Sequence, residues 1–350
     1  MAGGNPWEMS YTENSTVLGN SDFSDLDTTT GYRFRKIVSP NNQAVSVNWK
    51  LGENTERKFE DCHFALPVEN SSVANCKFIR CRFHGSSWKS VKFSQCTFDH
   101  CHFSGVDFMH CNFLNTCKFL EISASAEGLR MEDTAISPSA FLKAMKTNLA
   151  SYSDKLQRAY QKHRLIGTKE KVAKIIFDST RNVGNVDYYY DAYKRLSICW
   201  AMQQIEQYRY LQDGSSETPK KDWLYFLWVI PAYVEMFVVV TSGFLTNWGR
   251  SLLRPLAVFL LIVAAFTYIY LPESIETVDV TGKKVQSDQL VGRVKFALIK
   301  ATEISLVAGY TAHVNEDVRG WARAGVLINL MLGIGWYSLV FPVLSRRTLR

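Results

Sequence analysis

A multidomain α+β membrane protein is the fold class this sequence predicts. Three observations carry it. A five-residue hydrophobic period runs between Lys58 and Lys118, a stretch of helical periodicity follows from Glu121 to Gln212, and two uncharged apolar runs, Pro255–Leu271 and Ala324–Ser345, lie near the end. In order, these read as a β-solenoid, a helical connector and an α-helical two-span membrane domain with a shorter helix between its spans.

The bulk numbers bound the reading. A chain of 350 residues makes two or three domains. Its 47% hydrophobic content averages a polar N-terminal two-thirds with an apolar end. The formal net charge is +7, and part of it (Arg250, Arg254, Arg346, Arg347, Arg350) flanks the apolar runs. Arginines there set membrane topology rather than nucleic-acid affinity, so no nucleic-acid partner is expected. Residues 1–30 lack a basic region followed by an apolar core, so no secretory leader is read. The expected location is the cell (inner) membrane, multi-pass, with both ends cytoplasmic. No Walker loop, Gly-x-Gly-x-x-Gly, Gly-x-Ser-x-Gly or His-Glu-x-x-His occurs, so no enzyme is expected.

Residues 1–57 read as a polar arm with one short strand around Ala44-Val45-Ser46-Val47. Over 58–120, Phe59 and Phe64 open the period, and Val68, Val73, Phe78, Phe83, Trp88, Phe93, Phe98, Phe103, Phe108 and Phe113 continue it after a one-residue slip. A second slip leads to Phe119. Two residues before most of these sits a small one, as at Cys62, Cys76, Cys81, Cys96, Cys101 and Cys111. A period of five matches neither a helix nor a flat strand; it signals a solenoid in which each repeat makes one face.

Segments such as NCKFI-RCRFH and QCTFD-HCHFS resemble pentapeptide repeats. That resemblance implies a right-handed quadrilateral β-helix, four repeats to a coil, with the large residue and the small one two before it both inward. About a dozen repeats would make roughly three coils, or about 15 Å of column. Seven of the eight cysteines then take the small interior position, where a thiol behaves as a compact hydrophobe. A zinc site from Cys101, His102 and His110 is disfavoured, because the histidines fall outward. With seven Lys/Arg against five Asp/Glu in Lys58–Lys118, the column does not mimic DNA. It reads as an assembly or docking surface for a cytoplasmic protein partner.

Residues 121–221 read as a cytoplasmic helical connector. Ser137-Pro138, Ser153-Asp154 and Thr168-Lys-Glu are start signals, and Gly167 and Gly184 are stops. They predict helices over Pro138–Ala150, Asp154–Ile166, Lys169–Asn182 and Val186–Leu211. The pair around Gly184 resembles the connector joining pentapeptide repeats to membrane domains in bacterial proteins. It reads as a geometric spacer or, alternatively, as a sensor that binds a ligand or partner.

Residues 222–350 form the membrane domain. The apolar helix at 223–245 holds Pro231 and Glu235, and a carboxylate inside a span is costly, so an interfacial helix is expected there. A span at 253–271, a polar interval, a pore helix at 294–306 and a span at 324–345 follow. The last run has 22 residues, about 33 Å of helix, enough for the hydrocarbon core. The short helix includes Thr302, Glu303 and Ser305 and carries too much charge to face lipid.

Val307-Ala308-Gly309-Tyr310-Thr311 stands where potassium channels carry a Thr-Val-Gly-Tyr-Gly type filter, and Thr246–Arg350 resembles the two-helix ion-channel domain found after pentapeptide repeats. The resemblance implies a homo-oligomer, most naturally a tetramer, in membrane lipid. Val307–Thr311 would form the filter, Asn329 would face the pore, and Gly333 and Gly335 would make an inner-helix hinge. No cofactor is expected beyond a permeant monovalent cation, potassium among the candidates. Val307 lacks the threonine hydroxyl and Thr311 replaces the second filter glycine, which weighs against strict potassium selectivity. The expected function is an oligomeric channel gated or assembled through its cytoplasmic parts. The alternatives are a non-conducting membrane-anchored scaffold and a toxic depolarising effector, for example in phage defence.

Overall fold

The computed structural model describes residues 15–17, 32–33, 36–38, 44–46, 48–49, 57–147, 154–214, 223–248, 251, 253–271, 277–278, 284–285, 290–307 and 321–348. The chain divides into two compact units, Met1–Val239 and Val240–Arg350.

The first unit is built on a four-sided β-solenoid. Its short strands pair in parallel into sheets of six, five, four and four strands, about four coils. Equivalent positions stack coil on coil: His63, Arg82 and His102 share one register, as do Phe59, Phe78, Phe98 and Phe119. The inward phenylalanines form ring columns. Phe78 stacks on Phe98 at 5.0 Å, Phe83 on Phe103 at 5.0 Å and Phe93 on Phe113 at 4.4 Å. All are essentially buried.

The slip before Phe119 is absorbed outside the strands. Cys117 N donates to Leu114 O at 2.9 Å, closing a turn, and Phe119 regains register with Phe98. Pairing runs past both ends of the 58–120 interval. Tyr32–Arg33, Lys36–Val38 and Asn48–Trp49 join the early coils, with Val45 bridged to Val68. Ser123–Ala124 and Leu129–Glu132 join the last. These additions raise the expected three coils to about four.

Seven cysteines line the interior and the eighth, Cys199, is buried elsewhere. Their thiols donate to carbonyls of the preceding coil: Cys96 to Val73 O at 3.4 Å, Cys101 to Phe78 O at 3.3 Å, Cys111 to Trp88 O at 3.1 Å. Burial pushes the Cys111 thiol up to about 12, so it keeps the proton it donates.

Helix α1 (Pro138–Ala144) closes the column. Ser137 caps it, with Pro138 in its first turn, and Phe141 lays its ring against Phe103 and Phe119. Helices α2 (Lys155–Thr180) and α3 (Val186–Gly214) form a hairpin turning at Gly184, whose φ is +73°. The expected stop at Gly167 is corrected, since α2 runs through it unbroken. Val172, Ala173 and Ile176, one buried stripe, belong to the same core as Ala192 and Cys199 of α3, and that packing overrides a weak glycine signal. The hairpin is keyed to the solenoid through polar contacts. Thr134 N donates to Ser179 Oγ at 2.8 Å, and Ser139 is held by Asp191 and Arg195.

Helix α4 (Trp223–Thr246) contains Pro231 within it. In the second unit lie α5 (Leu253–Tyr270), α6 (Leu290–Ser305) and α7 (Trp321–Thr348). A two-stranded antiparallel pair, Thr277–Val278 with Lys284–Val285, occurs in the polar interval. Among the described residues one helix, α5, is long and apolar enough to cross a membrane; Ile230–Leu245 and Ala324–Ser338 are shorter apolar stretches.

Two outcomes follow for the first unit. Phe98→Ala removes a ring stacked on both neighbouring coils and should cost about 3–5 kcal/mol, read as a lowered urea midpoint of the β-sheet circular dichroism signal, whereas Lys92→Ala on the exterior should leave it within about 0.5 kcal/mol. Burial, with Arg82 and His84 nearby, lowers His102 to about 4 from an ordinary 6.5. The unfolded chain therefore takes up this proton first, and stability is lost as pH falls from 6.5 towards 4. His102→Gln should flatten that part of the loss in thermal melts taken across the window.

Candidate functional site

The expected site residues cluster in the second unit, where α6 packs one face against α5 and α7. On α5, Val263, Phe266 and Tyr270 recur at three- and four-residue intervals and are buried. On α6, Ala297, Ala301 and Ile304 do the same, and Val326 of α7 completes the core. Small alanines let α6 approach closely.

This apolar core holds polar side chains at one end. Lys300, Ser305, Asn329 and Tyr270 are each between 0% and 3% exposed. Ser305 Oγ donates to Asn329 Oδ1 at 2.7 Å. The Asn329 amide in turn donates to Ala301 O at 3.3 Å and Tyr270 OH at 3.4 Å. The Lys300 ammonium lies over the Tyr270 ring, 5.4 Å from its centroid. Placing a cation on a ring face offsets part of its desolvation. Where α6 ends, Tyr337 OH donates to Leu306 O at 3.1 Å and Val307 N to Ile304 O at 3.0 Å.

Val307 then takes a left-handed conformation, φ +60°. That region penalises a β-branched residue, and such strain persists where surrounding contacts impose it. Val307 is the first position of the filter-like stretch; Ala308, Gly309, Tyr310 and Thr311 lie outside the described residues. Thr302 Oγ1 donates to Leu298 O at 2.8 Å within its own helix, and Glu303 is half-buried on α6.

Asn329, expected to face the pore, is fully buried, where it bonds the Ala301 carbonyl and the hydroxyls of Ser305 and Tyr270. The expected hinge glycines lie in one unbroken helix. Gly333 is a point of contact: a β-carbon there would lie 2.2 Å from Ser305 O. Gly335 faces open space. Sequence reasoning missed Tyr270 and Tyr337, whose only signal was a hydroxyl inside an apolar run.

On the first unit, an open cleft of about 480 Å³ lies beside Asp99, His100, Leu120, Glu121, Lys143 and Lys146. Its charges largely satisfy one another, since His100 pairs with Asp99 at 2.7 Å and Lys146 with Glu121 at 2.7 Å.

A family model described as the SV2A/B/C luminal domain matches residues 53–142, within the solenoid-forming part and well short of half the chain. No curated protein matches the sequence. Two solved structures, trypsin-treated variants of QnrB1, a plasmid-mediated fluoroquinolone resistance protein, are similar at 12% and 13% identity. Each match covers 35% of this chain and 56% of the other, with a TM-score of 0.15. This chain thus spans little more than half the length of those structures, and the pentapeptide solenoid rests on its own strand register.

The glycines give opposite outcomes. Gly333→Ala must push α7 off the end of α6 and should cost about 1–3 kcal/mol, while Gly335→Ala, with room for its methyl, should be neutral or stabilise by up to about 1 kcal/mol. Thermal unfolding of the full-length protein measures both; equal effects would remove the contact from the account.

Proposed function

We propose that this chain is a subunit of an oligomeric membrane ion channel whose conducting path is lined by the loop after α6. The observation that carries the reading is α6 itself. It has 16 residues, about 24 Å of helix, less than the hydrocarbon core requires. One face of it, Ala297, Ala301 and Ile304, is nonetheless buried against two apolar helices, and side chains of the second bond Ala301 O and Leu306 O. Short helices and irregular backbone are tolerated at membrane depth where protein encloses them or where they line a water-filled cavity.

The exteriors of α5 and α7 support a lipid environment. Leu260, Leu261 and Tyr268 on α5, and Met331, Ile334 and Phe341 on α7, are all more than half exposed. An apolar surface of that extent is unusual on a water-soluble monomer. Three helices do not enclose a path alone, so the channel is a homo-oligomer, a tetramer by resemblance. The permeant species is a monovalent cation, and Thr311 in place of glycine favours weak discrimination between potassium and sodium. The solenoid, connector and α4 act as cytoplasmic and interfacial parts for assembly or gating.

Ion flux from proteoliposomes under potassium and then sodium gradients tests this. The wild-type protein should conduct, and Gly309→Val should abolish flux while leaving oligomer size unchanged. Absence of wild-type flux would discard conduction in favour of a membrane-anchored scaffold.

A further inference from the structure

We infer that Asn329 and Tyr337 of α7 are positioning residues for the end of α6, where Leu306 and Val307 stand. The inference deepens the channel reading and rests on it for its functional consequence. The end of α6 closes on itself through Leu306 N to Thr302 O and Val307 N to Ile304 O, and α7 adds side-chain contacts to it. Here Asn329 reaches Ala301 O and accepts from Ser305 Oγ, while Tyr337 reaches Leu306 O, the residue immediately before the left-handed step. Gly333, between them on α7, allows the close approach to Ser305 that brings both side chains within reach.

Two side chains and one close approach on a single helix therefore fix the end of α6 through Leu306. The φ of +60° at Val307 is the conformation those anchors impose. Neither side chain need touch a permeating ion. They act by holding Leu306 and Val307, and a functional site is precise only where the residues that support it are themselves held in place.

The test uses full-length protein in proteoliposomes and two readouts. The first does not depend on conduction: Val307→Cys is introduced, and its labelling by a water-soluble maleimide is timed. All eight native thiols are buried, so the background is low. Adding Asn329→Ala or Tyr337→Phe should speed labelling at least fivefold with oligomer size unchanged; Asn329→Asp, which keeps the acceptor for Ser305, should fall between. The second readout is the ratio of potassium to sodium flux without the added cysteine, which should change at least threefold in Asn329→Ala and Tyr337→Phe. Labelling within twofold of the parent in both variants would overturn the positioning role. Faster labelling alongside a wild-type protein that carries no ions would sustain positioning and sink the channel reading instead.

Discussion

A chain that turns a corner every five residues must place one residue in each corner where L-amino acids rarely sit. From Asn70 to His110 every fifth residue has a positive φ: Asn70, Asn75, Arg80, Gly85, Ser90, Gln95, His100, Gly105 and His110. Only two are glycine. A left-handed residue costs about 1–2 kcal/mol, so the column carries a recurrent local penalty. Two features of each corner offset it. The corner amide donates to the next coil, as Asn70 N does to Lys89 O and Arg80 N to Asp99 O. The large side chain two residues earlier is driven inward, where burying a phenylalanine contributes about 1.5–3 kcal/mol.

The rest of the first unit depends on that bargain. A regular column presents a flat end, and an open sheet end invites further pairing. Phe141 covers it by continuing the inner ring columns from a helix rather than a strand. Capping by a helix that belongs to the same core gives the solenoid a fixed terminus and the connector a fixed origin. Ser179 with Thr134, and Asp191 with Ser139 and Arg195, then orient the hairpin through hydrogen bonds rather than apolar area alone.

The solenoid was legible because its period is shared by every residue in it: ten consecutive large residues at one spacing leave little else to propose. The coils outside 58–120 were not, because Tyr32–Arg33 and Asn48–Trp49 join by backbone register without repeating the Phe signal. Gly167 misled for a related reason. A glycine marks a helix end only where nothing downstream holds the helix together, and here the stripe from Val172 to Ile176 does. In the second unit the order of elements could be read from apolar runs and charge. The partners of Asn329 could not, since which carbonyl lies opposite an asparagine depends on how closely two helices approach, and that depends on Ala301 and Gly333.

Both units meet one requirement by different means. Backbone polar groups that leave regular structure inside an apolar interior need partners. In the solenoid the partners are small and repeated: the thiols of Cys96, Cys101 and Cys111, each two residues before a large side chain, reach carbonyls of the preceding coil. At the end of α6 they are large and singular, a buried asparagine amide and, at the surface, a tyrosine hydroxyl on the same neighbouring helix. Repetition suits a column, where every coil must be alike. A pair of unique anchors suits a place where the backbone must leave its helix once, in one direction. That is why, among the described residues, the buried polar side chains of the second unit gather at Lys300, Ser305 and Asn329, and why the left-handed valine stands directly beyond them.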